Sequence, residues 1–152
     1  MTGPPAIAWR DATRQDVPAV VDMLRDDALG ATRETGDTSD YLAAFDAMRA
    51  EGANHLVVGE AGGRIVATFQ ITFITGLSHR ASRRAQVESV RVAADLRGRG
   101  IGRALMAEAE LRAAAAGCRL IQLTTHADRD RAHRFYAALG YEATHLGFKK
   151  PL

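Results

Sequence analysis

The sequence predicts one α+β domain in which helices cover a mainly antiparallel sheet. With 152 residues, the chain fits a single domain, residues 1–152, and can bury a substantial core. Apolar residues alternate in some segments and recur at helical spacing in others, which gives the order β-α-α-β-β-β-α-β-α-β. The early strands are predicted to be mostly antiparallel, and no internal repeat or linker divides the chain.

The N-terminal segment predicts a strand followed by two helices. Residues 6–11 form the strand. Thr13 and Asp16 form a capping box for a helix in which apolar residues recur at helical spacing from Val17. Residues 29–40 are polar and irregular, and residues 41–50 predict a second helix.

A hairpin and a further long strand are predicted next. Strands at 55–61 and 65–73 are joined at the Gly62–Gly63 pair, which is a good hairpin signal. A long basic loop at 75–84 then leads to a strand at 85–92.

The last third predicts two helices and two short strand regions. A long helix at 103–116 is ended by Gly117, and a buried strand follows at 120–124. A helix at 131–139 is ended by Gly140. Beyond it, residues 141–145 and 148–151 predict a final pair of strands.

Composition excludes several classes of protein. The net charge of +2 is too small to indicate nucleic-acid binding, and no apolar run approaches the roughly 18 residues that span a bilayer. Residues 1–5 lack the charged start and apolar core of a signal peptide. The one cysteine, Cys118, excludes an internal disulfide and is expected to be a packed thiol. These features predict a cytoplasmic enzyme.

The most informative motif is the glycine-rich run from Arg97 to Arg103, between a predicted strand and a predicted helix. Its three alternate glycines leave backbone N–H groups clear of side chains that would block a ligand. The start of the helix adds unpaired N–H groups and the positive end of the helix dipole. The arginines at 97, 99 and 103 add full charges, so the turn predicts a phosphate site.

Other phosphate motifs fit this run less well. A P-loop ends in Gly-Lys-Ser/Thr, but no lysine occurs before Lys149. A dinucleotide fingerprint needs glycine at position 103, which is Arg103. An ordinary glycine-rich connection between a strand and a helix stays open as an alternative.

Two motifs together resemble the GNAT acyltransferase superfamily. The first is Arg97-x-x-Gly100-x-Gly102 preceded by Val90-Arg91-Val92, which is similar to the acetyl-coenzyme A site of that family. The second runs from Ala132 to Tyr141 and resembles the family's late helix and following strand. The two motifs stand in the family's order and at about its usual spacing.

The resemblance implies a sheet of six or seven strands, flanked by about four helices and splayed at the acyl-CoA site. The pantetheine arm would pair with the strand at 85–92, and the glycine turn would wrap the pyrophosphate. Acetyl-CoA is thus the implied cosubstrate, with no metal. Arg129 stands where the family often has asparagine. The coenzyme-binding residues implied are Val90, Arg91, Val92, Arg97, Gly98, Arg99, Gly100, Ile101, Gly102, Arg103 and Arg129.

The resemblance also implies transfer of an acetyl group to a primary amine within a ternary complex. Tyr136 matches the position where many members hold a tyrosine near the coenzyme sulfur as general acid; the alternative is a core aromatic residue. Glu88 is the candidate base, because strand alternation puts it on one face with Val90 and Val92. It is therefore expected either to point into the cleft with them or to be buried among apolar neighbours, and burial would raise its pKa. Ordered water as the base, or Glu88 in an ion pair, stays open. The oxyanion contact is expected from a backbone N–H near Val92.

The acceptor is the least determined part of the prediction. Candidate contacts are Arg33, Glu34, Phe73 and His79, and the C-terminal part resembles aminoalkylphosphonate N-acetyltransferases. A small primary amine, with or without an anionic group, is therefore expected as the acceptor. No nucleic-acid or membrane partner is expected, and a homodimer is suggested by analogy only. A protein or peptide N-acetyltransferase and a non-catalytic acyl-CoA sensor are the two alternatives.

Overall fold

The computed structural model of the protein describes residue 3 and residues 5–152. Met1, Thr2 and Pro4, which belong to the stretch considered for a signal peptide, lie outside the described residues. The chain folds as two compact units, Met1–Gln122 and Leu123–Leu152. The first unit contains nearly all of the sheet, and the second contains the last helix.

A mixed sheet of five strands, in the spatial order β1-β2-β3-β4-β5, forms the framework. The pairs β1–β2, β2–β3 and β3–β4 are antiparallel. The strands are β1 (Ala8–Asp11), β2 (Asn54–Ala61), β3 (Arg64–Thr75), β4 (Arg83–Val92) and β5 (Cys118–Leu123).

The last strand, β5, runs parallel to β4. Arg83 donates to the backbone oxygen of Ala116 at 2.8 Å, just before β5 begins. Gln122, near the end of β5, donates from Nε2 to Oε1 of Gln86 at 2.7 Å. The two contacts advance in the same direction along both segments, as expected when a helix connects two neighbouring strands.

The described residues include six helices, and the four long ones confirm the helices that the sequence predicts. The two four-residue helices, α2 and α4, lie in segments that the sequence predicts to be irregular. The left-handed φ angles of Gly117 (77°) and Gly140 (91°) confirm both predicted helix stops. The helices are α1 (Val17–Arg25), α2 (Gly30–Arg33), α3 (Thr38–Glu51), α4 (Ser78–Ala81), α5 (Ile101–Ala115) and α6 (Asp130–Ala138).

The predicted final pair of strands is wrong. Residues 141–152 form neither helix nor strand, so the sheet has five strands instead of six or seven, and there are six helices instead of about four. The apolar side chains of this segment are not covered: Leu146 is 85% exposed and Phe148 is 92% exposed. Apolar alternation specifies a strand only where one face is buried, and here it is not.

Helices cover both faces of the sheet. Val17 and Val21 of α1 and Phe45 of α3 pack with Leu56 of β2, which defines the α1/α3 face of the sheet. The opposite face, here called the α5 face, carries fully buried side chains of β3, among them Phe69 and Ile71. It packs against α5.

Arg10 joins the first strand to the start of α1 and to β2. Its guanidinium donates to both carboxylate oxygens of Asp16, at 2.7 and 3.0 Å, and to Glu60 at 2.9 Å. The carboxylate of Asp16 also accepts the backbone N–H of Thr13 at 2.7 Å, which is part of the predicted capping box. The hydrogen bonds from Arg10 lower the pKa of Asp16 to about 2.

We expect Asp16→Asn to lower the free energy of unfolding by about 1 kcal/mol at pH 7, a value reduced because solvent screens the partly exposed Arg10. The folded-state pKa of Asp16 lies below its ordinary value of 3.8. The contribution is therefore complete above about pH 4 and is lost as the pH falls toward 2. Urea unfolding at several pH values measures it.

Asp46→Asn is the matched control, because its carboxylate forms an exposed ion pair with Arg14. It should change stability by less than about 0.5 kcal/mol. If Asp16→Asn kept the full pH dependence of the wild type between pH 4 and pH 2, the Arg10–Asp16 pair would not be its source.

Candidate active site

The glycine turn before α5 leaves open space above its backbone. Gly98 and Gly100 have φ angles of 76° and 83°, which residues with a Cβ rarely adopt. A Cβ placed on either glycine would meet no atom within 4 Å. Backbone conformation, and not crowding by the protein, therefore requires glycine there, and the space above is available to a ligand.

The start of α5 directs backbone donors into this region. The helix begins at Ile101, and its first intrahelical acceptor is the carbonyl of Gly100, which accepts the N–H of Ala104 at 3.1 Å. The N–H groups that precede Ala104 have no partner within the helix. Together with the helix dipole, they favour an anion at this end.

Charges around the turn are mostly positive. Arg99 and Arg103 are exposed. The nearest acidic neighbour in sequence, Asp95, is held by two 2.8 Å hydrogen bonds from Arg64, which lower its pKa to about 2. The positive charge of Arg64 thus offsets the negative charge of Asp95.

Arg97 has protein partners in this structure. Its Nε donates to the carbonyl of Val92 at 3.2 Å, and its Nη2 lies 3.3 Å from a carboxylate oxygen of Asp26. The side chain thereby ties the turn to the end of β4 and to the end of α1. The sequence predicts Arg97 as a phosphate contact, but it gives no sign of the pairing with Asp26.

A β-bulge interrupts β4 beside this turn. Arg91 opposes Thr68, and Glu88 opposes Gln70. Two residues of β4, 89 and 90, therefore lie opposite one residue of β3, residue 69. Ser89 has a φ of 54°. Bulges are common next to active sites, where they redirect side chains and backbone groups.

Because of the bulge, Glu88 does not lie where the sequence predicts it. Val92 opposes Ala67 on the α5 face, whereas Glu88 opposes Gln70 on the α1/α3 face. Glu88 therefore does not share a face with Val92, because the extra residue resets the alternation. It is also exposed, so it is not buried among apolar neighbours, which is one of the two placements that the sequence predicts for it.

The second half of β4 extends beyond the end of β5. Gln122 lies beside Gln86, and β5 ends one residue later at Leu123. β4 continues to Val92, so β5 has no residue opposite its last part. β5 therefore does not cover the backbone at the end of β4, and that backbone can pair with a ligand.

An ion pair attaches the α1–α2 connection to β4. Nη2 of Arg91 lies 3.1 Å from Oδ2 of Asp27, and both side chains are largely buried. Oδ1 of Asp27 accepts the N–H of Gly30 at 2.5 Å. The ion pair places the α1–α2 connection next to the bulge. Because the side chain of Arg91 is engaged with Asp27, its backbone and not its side chain is suited to the predicted coenzyme contact.

The predicted acceptor contacts lie in three separate segments of the chain. Glu34 accepts a hydrogen bond from the hydroxyl of Tyr41 at 3.0 Å, and Arg33 beside it is exposed. Phe73 lies on the α5 face, the opposite face from Glu88, and packs against Arg83. His79 lies in the β3–β4 connection.

The second unit carries the remaining predicted residues. Tyr136 lies on α6, half-buried, with its ring 5.1 Å from that of Phe135 and 5.9 Å from that of Tyr141. Arg129 directly precedes α6, and its carbonyl accepts the N–H of His133. The aromatic contacts fix the ring of Tyr136 within its unit.

Three further sequence predictions concern thiols, metals and membranes. Burial raises the pKa of Cys118, as expected for a packed thiol and not for a nucleophile. Within residue 3 and residues 5–152, no group of three or more His, Cys, Asp or Glu side chains is placed to hold a metal ion. No helix in that described part is both long and apolar enough to cross a membrane.

Comparisons with known proteins agree with this arrangement. A family model described as "Acetyltransferase (GNAT) family" matches residues 19–141. Aminoalkylphosphonate N-acetyltransferase from Salmonella typhimurium is 28% identical over 148 residues, which cover 97% of this chain and 93% of that protein. N-alpha-acetyltransferase 80 from Mus musculus is 54% identical over 56 residues, which cover 37% of this chain and 17% of that protein.

A solved structure with the same fold is that of a transcriptional regulator from Bacillus halodurans C-125. It has a TM-score of 0.92 and 40% sequence identity, and the match covers 97% of this chain and 100% of that one. The likeness extends over both units, and the family match includes the glycine turn, the bulged strand and α6. The chain therefore belongs to the acetyltransferase (GNAT) family.

Proposed function

We propose that the protein transfers an acetyl group from acetyl-CoA directly to a primary amine of a small molecule within a ternary complex. As a family member, the chain is an acetyl-CoA-dependent N-acyltransferase; its acceptor and its catalytic residues are proposals. The observation that carries the proposal is the open glycine turn at the start of α5. We also propose that residues 1–152 act as one acetyltransferase domain.

The chemistry of the turn fits the diphosphate of coenzyme A. Unpaired N–H groups, left-handed glycines and exposed guanidiniums are suited to such a group. We propose that the backbone of residues 98–103 holds the diphosphate and that the open edge of Val90 to Val92 pairs with the pantetheine amides. Arg97 and Arg129 are further candidates, and Arg97 would exchange its contact with Asp26 for a phosphate.

Two side chains are proposed to move protons while the bound coenzyme supplies the activated acetyl group. Glu88, exposed beside the bulge, takes a proton from the acceptor ammonium, directly or through water. The hydroxyl of Tyr136 donates a proton to the departing sulfur. The backbone N–H near Val92 stabilises the carbonyl oxygen as charge develops there.

We expect Glu88→Gln to lower kcat/KM about 10–100-fold and to remove the acidic limb of the pH–rate profile, because the amide cannot accept a proton. The measurement is thiol release at saturating acetyl-CoA across a range of pH. Glu110→Gln, a change at an exposed position of α5, is the control. A profile unchanged in Glu88→Gln would assign the proton transfer to water.

The acceptor class is proposed from the relatives. The Salmonella relative is named for aminoalkylphosphonates, which favours a small amine with an anionic group. The mouse relative, named as an N-alpha-acetyltransferase, supports the alternative of a protein or peptide acceptor, although the match is short. The solved structure described as a transcriptional regulator keeps the non-catalytic acyl-CoA sensor as the other alternative.

One assay separates these functions. Thiol release is measured with small amines, aminoalkylphosphonates, polyamines, aminoglycosides and peptides, alongside calorimetry with acetyl-CoA. Turnover of a small amine supports the proposal, and turnover of peptides alone favours the protein acetyltransferase. Acetyl-CoA binding without any turnover favours the sensor. Absence of acetyl-CoA binding would contradict all three.

A further inference from the structure

A cationic cavity lies at the opposite end of β4 from the glycine turn. Its volume is about 250 Å³, and it is formed where the β3–β4 connection meets the start of β5. Ser78, His79, Ser82, Arg84, Arg119 and Leu120 line it. Two guanidiniums, an imidazole and two hydroxyls therefore surround one space.

The basic side chains of this cavity have no carboxylate partner within the part of the chain that the structure describes. Among the described residues, Arg84, Arg119 and His79 form no ion pair with a carboxylate. The sequence explains this, since no Asp or Glu occurs between Glu60 and Glu88 or between Glu110 and Asp128. Other arginines of this unit, including Arg10, Arg64 and Arg91, are paired with carboxylates, whereas the two arginines of the cavity are not.

The backbone beside the cavity adopts an unusual conformation. His79, Arg80 and Ala81 have φ angles of 52°, 61° and 57°, which is a left-handed turn made of three residues that are not glycine. Such a turn is unfavourable for L-residues, and conformations of this kind tend to cluster at functional sites. Here it accompanies the placement of His79 in the lining of the cavity.

The cavity and Glu88 are connected along one face of the sheet. Arg84 opposes Ile74 and Glu88 opposes Gln70, so both lie on the α1/α3 face. They are four positions apart along the strand, which corresponds to about 13 Å between their Cα atoms. Between them, Gln86 is half-buried and bonded to Gln122, so the intervening surface is polar.

We propose that this cavity binds the anionic group of an elongated acceptor whose amine lies at Glu88. The inference rests on the proposed function, and it specifies the acceptor as an amine with a phosphate, phosphonate or carboxylate group about 10–13 Å away. Arginine and hydroxyl donors are suited to such oxyanions. A two-carbon aminoalkylphosphonate is too short to reach both positions.

A series of ω-aminoalkylphosphonates of increasing chain length tests the inference, with neutral alkylamines of the same lengths as references. For the wild type, kcat/KM relative to the neutral amine should rise with length and be highest where the chain spans about 10–13 Å. In Arg84→Gln and Arg119→Gln, KM for the long phosphonate should rise about tenfold relative to that for the neutral amine. Arg80→Gln, on the same turn but outside the cavity lining, should behave as the wild type.

Calorimetry separates failure of the inference from failure of the proposed function. The long phosphonate is titrated into the protein loaded with coenzyme A, which requires no turnover. Binding that weakens about tenfold in Arg84→Gln supports the cavity even if no acetyl transfer occurs. Absence of binding by the wild type, or equal binding by wild type and both arginine variants, would overturn the inference even if short amines are acetylated.

Discussion

Gly100→Val should raise the dissociation constant for acetyl-CoA about 10²-fold, which is the largest effect on binding that we expect from one substitution. Gly100 has a φ of 83°, and a β-branched residue is strained there. Relaxation of that strain moves the N–H groups that we propose to hold the diphosphate. Each charge-assisted hydrogen bond contributes about 1.5–3 kcal/mol, so loss of one or two accounts for the factor. Calorimetry with acetyl-CoA is the measurement.

Gly117→Val at the other end of α5 is the matched control. Gly117 also has a left-handed φ, 77°, and open space around a Cβ. Both substitutions should destabilise the protein by about 1–2 kcal/mol, because both impose the same backbone strain. Only Gly100→Val should weaken acetyl-CoA binding. Equal weakening by both would show that helix stability, and not the turn, determines the affinity.

Local signals in the sequence predicted the elements that form the site. The Gly62–Gly63 pair marks the β2–β3 hairpin, and the run before α5 marks both the turn and the start of that helix. These signals work because the missing side chain of glycine, and the left-handed φ that it therefore tolerates, are properties of the residue itself. They place the glycine turn correctly from sequence alone.

Features that depend on pairing between distant segments were not predictable. The bulge at Ser89 exists because β3 and β4 pair in a shifted register, and serine carries no sequence signal for it. Arg97 and Asp26 are 71 residues apart in sequence, so their contact follows from the fold. The final pair of strands was predicted wrongly for a related reason: burial, which the sequence does not show, decides whether a strand forms.

Tyr136→Phe should lower kcat about 10²-fold if the hydroxyl protonates the departing sulfur, which is within the usual range for a general acid. KM for acetyl-CoA should change little, because the ring and its packing remain. The substitution keeps the ring contacts with Phe135 and Tyr141, so the packing of the aromatic cluster is retained. Steady-state thiol release at saturating substrates measures kcat.

Tyr141→Phe is the control, since its ring packs edge-to-face on Tyr136 in the same unit and it has no proposed role in proton transfer. Removal of either hydroxyl leaves the aromatic cluster intact, so loss of packing would affect the two variants alike. A loss confined to Tyr136→Phe, in kcat and not in KM, therefore reports chemistry. If both variants kept wild-type kcat, Tyr136 would be a core aromatic residue, and another group or water would have to protonate the thiolate.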